Sequence, residues 1–185
     1  MASPVLWTIE PLTAAHDLAA FDCGEPSLNL FLQRHALGND RAGLGRTFVA
    51  TESGQARIAG YFTLSTGSVT FDTIPDHARK RLPRYPIPTV HIGRLAVALK
   101  YQRRGLGETL LVESLRKAGT ASESVGVYAV DVFALHDRAR SFYLKYGFVE
   151  MLDEPRHLLL PIATARQIAQ IIDGCSPQIA GIRPR

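Results

Sequence analysis

Two stretches of the chain hold residue types whose spacing suits chemistry on a charged ligand. The first is Gly93-Arg94-Leu95-Ala96-Val97-Ala98-Leu99-Lys100-Tyr101-Gln102-Arg103-Arg104-Gly105-Leu106-Gly107-Glu108. It reads as a strand, a short basic loop and the start of a helix. At a helix N-terminus the leading N–H groups lack intrahelical partners and the dipole is positive, so an anion docks there. Gly105 and Gly107 have no Cβ to hold a diphosphate away from those amides, and Arg103 and Arg104 set charge beside them. The expected ligand is a pyrophosphate; a glycine-rich helix start without a ligand is the other reading of this stretch by itself. A P-loop would need Gly-Lys-Ser/Thr, and the dinucleotide fingerprint would need glycine where Leu110 stands, so neither fits. The second stretch is Leu135-His136-Asp137-Arg138-Ala139-Arg140-Ser141-Phe142-Tyr143-Leu144-Lys145-Tyr146-Gly147-Phe148. It follows a strand, opens on His136, which suits a helix cap, and carries two phenols.

The elements that must present these stretches follow from periodicity. Val5 to Ile9 alternates as a strand, and Ala14 to Phe21 reads as short helical material. Leu28, Phe31 and Leu32 fall at helical spacing, with Pro26 and Ser27 in the first turn. Thr47 to Thr51 and Ile58 to Val69, parted by Glu52-Ser53-Gly54-Gln55, predict an antiparallel hairpin. Pro83-Arg84-Tyr85-Pro86-Ile87-Pro88 suits neither helix nor central strand and is expected to be a stiff connector. Beyond it come a strand over Val90 to Val97, a helix over Gly105 to Ala118 with an apolar stripe of Leu106, Leu110, Leu111 and Leu115, and a strand over Val125 to Ala134. Asp137 to Tyr146 is helical and stops at Gly147, Phe148 to Met151 and His157 to Leu160 form a closing strand pair, and Ala163 to Ile172 is a last helix ending at Gly174. The expected fold class is α/β: one domain over residues 1–185, a mixed, mostly antiparallel sheet flanked by helices, with one β-α-β crossover and a flexible tail from about residue 174.

Composition narrows the function classes. With 185 residues, 46% of them hydrophobic, a fold of this length needs no metal or disulfide staple. Cys23 and Cys175 fit neither a zinc pattern nor a disulfide framework, so a reducing cytoplasm is expected and no metal site. No apolar run approaches the roughly 18 residues that span a bilayer, and with Arg34 as the first basic residue no charged region opens a secretory signal. Charge is uneven: residues 1–33 carry −4, residues 34–104 carry +8, and residues 105–185 cancel. Of the 21 basic residues 17 are Arg, whose planar fork suits phosphate, which makes a phosphate-rich partner one reading and a solvated surface the other.

Taken together, Gly-Arg-Leu-Ala-Val, Gln-Arg-Arg-Gly-Leu-Gly and Ala-x-x-Phe-Tyr-x-x-Tyr-Gly-Phe resemble the GCN5-related N-acetyltransferase superfamily, and the element order matches that fold over nearly the whole chain. The resemblance implies acetyl-CoA as cofactor. It implies that Gln102, Arg103, Arg104, Gly105, Leu106, Gly107 and Glu108 receive the CoA pyrophosphate, and that Leu95, Ala96 and Val97 hold the pantetheine arm from a strand that opens at a bulge. It also makes Tyr143 the acid that meets the departing thiolate, with Tyr146 a weaker rival assigned to the core. A phenol of pKa ~10 facing a thiol of ~8.5 can donate a strong hydrogen bond or, in a tuned site, a proton. Many family members carry Asn where this chain has His136, so the CoA contact made there is in question.

The run Phe21-Asp22-Cys23-Gly24-Glu25-Pro26-Ser27-Leu28-Asn29-Leu30-Phe31-Leu32, the strand Thr47-Phe48-Val49-Ala50 and the proline-rich approach to Gly93 are similar to the acetyltransferase toxins of bacterial toxin–antitoxin modules. That resemblance implies acetylation of the α-amino group of aminoacyl-tRNA, a ribbon-helix-helix antitoxin that binds operator DNA, and a homodimer. An α-amine of pKa ~7.7, lower still on an aminoacyl ester, is largely uncharged in the cell, so no dedicated strong base is expected. The candidate tRNA surface is Arg34, Arg41, Arg46, Arg79, Lys80, Arg81 and Arg84, with Arg94 beside the cofactor strand. The alternatives are an acetyltransferase for a small amine or a protein N-terminus, and a CoA-binding regulatory module without turnover.

Overall fold

The β-branched and aromatic runs pair into one seven-stranded sheet, seen in a computed structural model that describes residues 7–175 other than Ser53. The strands are β1 (Trp7–Pro11), β2 (Arg46–Glu52), β3 (Ile58–Val69), β4 (Ile87–Val97), β5 (Ala129–Phe133), β6 (Val149–Glu150) and β7 (His157–Pro161), in the order β1-β2-β3-β4-β5-β7-β6. The helices are α1 (Pro26–Leu30), α2 (Ala36–Arg41), α3 (Leu106–Ala121), α4 (Asp137–Lys145) and α5 (Ile162–Cys175). Every pairing is antiparallel except β4 with β5, where α3 carries the chain back across the sheet. The tail expected from residue 174 lies almost wholly outside the described residues.

Period-two alternation sorts the sheet into two faces. On one face Phe48 and Phe62 stack, and α3 lies so close over Gly60 that a Cβ there would meet Leu110 Cδ1 at 2.8 Å. Leu106, Leu110, Leu111 and Leu115 are each 1% exposed or less. Burial of each side chain stabilises the fold by about 1.5–3 kcal/mol. Tyr143 of α4 and Ala165 of α5 belong to the same core cluster as Leu111 and Leu115. On the opposite face Tyr61 stacks on Phe31 and donates its hydroxyl to Leu28 O at 2.9 Å, which fixes α1 to β3. A wider π turn over Phe31–His35 joins α1 to α2.

Three expectations need correction. The strand expected over Val125 to Ala134 begins only at Ala129, because α3 runs out into a turn in which Val125 N–H donates to Ala121 O at 3.1 Å. Ala14 to Phe21 forms turns, because the Thr13 and Ala20 N–H groups donate to the side chains of His16 and Asp17, and Asp17 N–H pairs outward with Ala56 O. The proline connector ends sooner than expected: Ile87 and Pro88 already belong to β4. Pro88 is tolerated because β5 pairing begins only at Thr89, and its carbonyl accepts from Tyr128 N–H at 2.9 Å.

Candidate active site

β4 and β5 run side by side only from Thr89/Ala129 to Ile92/Val132. β4 continues to Val97, still paired on its other side with β3, through Leu95↔Phe62, Ala96↔Tyr61 and Val97↔Gly60. The sheet therefore splits between β4 and β5, and backbone groups of residues 93–97 that point away from β3 face the split. The register of β3 with β4 shifts beside Gly93, which stands as the extra residue between Thr63↔Arg94 and Leu64↔Ile92. A bulge there bends β4 and sharpens its twist away from β5.

The basic loop closes one end of the split. Arg103 and Gly105 both have positive φ, 61° and 82°, and Gly105 caps α3. Left-handed residues in a tight loop turn successive N–H groups toward one side. Thr109 N–H makes the first helical bond, to Gly105 O at 3.1 Å. The N–H groups of Leu106, Gly107 and Glu108 have no backbone partner among the described residues. This donor set, with exposed Arg103 and Arg104 beside it, fits a diphosphate. The Gln102 side-chain amide donates to Cys23 O at 3.1 Å and Val97 O at 3.0 Å, bracing the loop against the end of β4. Cys23 is buried and free, its thiol donating to Asn29 Oδ1 at 3.1 Å.

α4 supplies the phenols. His136 caps it, Nδ1 accepting from Ala139 N–H at 3.1 Å, as its place at the helix start implies. Tyr143 is 5% exposed, its ring edge-on to Phe142 and Phe148 at 5.3 Å from each. Its hydroxyl makes no hydrogen bond among the described residues. The ring is walled in. Burial holds the phenol well above its ordinary pKa, so it stays protonated and acts as a donor. Tyr146 is half-buried and packs against the same core, and burial together with the facing Glu108 carboxylate pushes it up to about 12. That pair links the end of α4 to the first turn of α3.

On the sheet face covered by α1 and α2 lies a cavity of about 270 Å³, whose lining includes Phe31, Thr63, Ser65, His91, Gly93 and Arg94. Arg94 stacks on the Phe31 ring, 3.6 Å from its centroid, and exposed Arg46 lines the same cavity. Arg41 and Arg46 border a second, more apolar groove beside Leu12 and Phe48. Arg79 and Arg84 converge elsewhere, both over Phe71, at 5.5 and 5.8 Å, and Arg79 also pairs with Asp76. Arg34, Lys80 and Arg81 are exposed. Of the basic candidates, Arg46 and Arg94 meet at the cavity, and Arg79 and Arg84 share the Phe71 ring.

Sequence reasoning passed over His91, Asp131 and His157. His91 Nδ1 lies 2.7 Å from Asp131 Oδ2, His157 Nε2 stands 3.5 Å from that same oxygen, and His157 Nδ1 lies 2.8 Å from Asp153 Oδ2. Burial raises the Asp131 carboxyl, but the polar groups of His157, His91 and Thr89 around it, with the His91 charge, outweigh burial and hold the group well below the usual carboxylate range. Burial also disfavours charged His157, yet Asp131 and Asp153 reverse that and raise its pKa. Exposed Phe133 stacks on His157 at 4.0 Å. The available signal was alternation along the strands, which puts these residues on one face.

A split parallel strand pair, a helix N-terminus suited to a diphosphate and a neutral phenol are parts that acyl transfer from coenzyme A would use. Residues 43–150 match the family described as Acetyltransferase (GNAT) domain, and the chain belongs to that family of acetyl-CoA-dependent N-acetyltransferases. It is 38% identical over 157 residues to the tRNA-acetylating toxin of Mycobacterium tuberculosis, covering 85% of this chain and 93% of that one. It is similar to AtaT complexed with acetyl-methionyl-tRNAfMet, at 32% identity and TM-score 0.82 over 88% of this chain and 98% of the other. A tyrosine-to-phenylalanine mutant of AtaT, bound to the C-terminus of the antitoxin AtaR and to acetyl-CoA, matches at 31% identity and TM-score 0.74 over 88% and 97%. Among the described residues no helix is long and apolar enough to cross a membrane.

Proposed function

We propose that the protein is the toxin of a bacterial toxin–antitoxin pair, transferring acetyl from acetyl-CoA to the α-amino group of aminoacyl-tRNA and so halting translation. The observation that carries this reading is the basic cavity at the bulge of β4, where Arg46 and Arg94 converge, in a chain that matches the tRNA-acetylating toxin along nearly its full length. Acetyl-CoA would be held by the N–H groups of residues 105–108 at its diphosphate, with Arg103 and Arg104 beside them. The backbone of Leu95, Ala96 and Val97 would grip its pantetheine arm. Tyr143 donates a hydrogen bond or proton to the sulfur as the thiolate leaves. Arg34, Arg41, Arg46 and Arg94 line the approach of the acceptor end, and Arg79, Lys80, Arg81 and Arg84 meet phosphates farther along the tRNA. The protein works in the cytoplasm as a homodimer, neutralised by a ribbon-helix-helix antitoxin that also contacts operator DNA.

The test is incubation with labelled acetyl-CoA and charged total tRNA, followed by identification of the labelled aminoacyl group. Label on one or a few aminoacyl-tRNAs supports the reading. Label confined to polyamines or protein N-termini, with none on charged tRNA, overturns it.

A further inference from the structure

His91 lines the cavity beside the split between β4 and β5. It is the last residue but one of the β4–β5 pairing, at the base of the split. Its Nδ1 is held by Asp131 at 2.7 Å, and this carboxylate, 4% exposed, stays charged. A carboxylate on Nδ1 selects the tautomer that carries its hydrogen there and leaves the lone pair on Nε2. Nε2 has no partner among the described residues, while the ring is partly exposed and lines the 270 Å³ cavity. The Cδ2 edge, next to Nε2, faces Gly93: a Cβ on Gly93 would lie 3.8 Å from Cδ2 and 2.9 Å from Thr63 Oγ1. Glycine at the bulge therefore keeps open the space into which that edge looks.

Resting on the reading of the site as an acetyltransferase for an α-amine, we propose that His91 is the general base, its Nε2 taking the proton from the acceptor nitrogen and Asp131 orienting it. The amine lone pair attacks the thioester carbonyl carbon, the carbon–sulfur bond breaks, and the amide forms. The proton released by nitrogen goes to His91 Nε2, and the sulfur receives its proton at Tyr143. Solvent then removes the proton from His91 and restores one to the phenol. Charged groups facing His91 act in the same direction: Arg94 from its own strand and Arg46 from β2 disfavour an ammonium in the cavity. The Asp40 carboxylate of α2 accepts from Thr47 N–H at 3.0 Å and Thr47 Oγ1 at 2.9 Å, so it is held by β2. On the far side of Asp131, His157 is paired with Asp153. A weak base suffices because the amine of an aminoacyl ester is itself weakly basic. No strong base was expected from the sequence; the folded chain places a mild one.

The test compares single-turnover acetyl transfer to aminoacyl-tRNA by the unaltered protein, His91→Asn and Asp131→Asn between about pH 6 and 8.5, with acetyl-CoA affinity by calorimetry. Asn at position 91 retains an N–H donor for Asp131 and lacks the basic nitrogen. The expected result is a rate near pH 7 lower by about 10²–10⁴-fold in His91→Asn. Acetyl-CoA affinity should be unchanged, the rising limb of the pH profile should be lost, and added imidazole should partly restore the rate. Asp131→Asn should lose rate in the same pH-dependent way. An unchanged rate and profile in His91→Asn overturns the proposal, and so does a loss that imidazole leaves untouched together with a lowered melting temperature. Failure of the unaltered protein on every aminoacyl-tRNA refutes the substrate reading and this role for His91 with it.

Discussion

Tyr143→Phe removes one oxygen, and the structure separates its effect on folding from its effect on catalysis. The ring is 5% exposed and packed edge-on against Phe142 and Phe148, contacts that phenylalanine reproduces. The hydroxyl has no hydrogen bond among the described residues, so no structural bond is lost. Placing an unpaired hydroxyl in apolar surroundings costs roughly 1–3 kcal/mol, so its removal should leave stability unchanged or raise it by about 1 kcal/mol. For a chain of this size, 1 kcal/mol corresponds to about 2–4 °C in Tm. Acetyl transfer should fall by about 10²–10⁴-fold, equivalent to about 2.7–5.5 kcal/mol of barrier. Because the phenol is protonated throughout the working range, the variant's residual rate should keep the pH profile of the unaltered protein. The assay pairs thermal melts and acetyl-CoA calorimetry with single-turnover transfer and growth arrest on expression. A full transfer rate would remove Tyr143 from the chemistry; a Tm several degrees lower would show that the hydroxyl holds the fold.

Other consequences are open to measurement. Gly105→Ala meets no atom within 4 Å, so its cost is that of the backbone at φ +82° alone, about 1–2 kcal/mol. Its Tm should drop by about 2–8 °C and acetyl-CoA should bind more weakly; tighter binding in calorimetry would contradict the assigned anion loop. Arg46→Gln with Arg94→Gln should weaken tRNA binding, flatten its dependence on log salt by about 1–2, and spare acetyl-CoA affinity. An unaltered salt slope would take both residues out of the tRNA contact. Raised His157 contributes stability that is complete below the unfolded imidazole value of ~6.5 and disappears as pH rises through its folded value; lowered Asp131 contributes above ~3.9 and is lost as pH falls. Denaturant midpoints should therefore decline on the alkaline side, less so in His157→Gln; equal declines in the two proteins would assign the effect to other groups.

The parts of the site written in consecutive residues were legible. A basic loop opening on a glycine at the head of an apolar helix states its anion chemistry within seven residues, and the strands and the Gly147 stop follow from alternation and backbone preference. Local pattern misled at Ala14 to Phe21, where side chains took the backbone donors that a helix would need. By itself, then, the sequence determined most of the elements and pointed to a candidate diphosphate loop and a candidate phenol, because those depend on spacing along one segment. Only the tertiary structure decided that β4 parts from β5 after Ile92, that the Tyr143 ring is enclosed, and that Arg46 joins Arg94 while Arg79 and Arg84 gather elsewhere. It also set His91 beside Asp131, forty positions away. That pairing requires a parallel register imposed by α3 crossing the sheet, and no local rule fixes which residues two distant strands bring face to face.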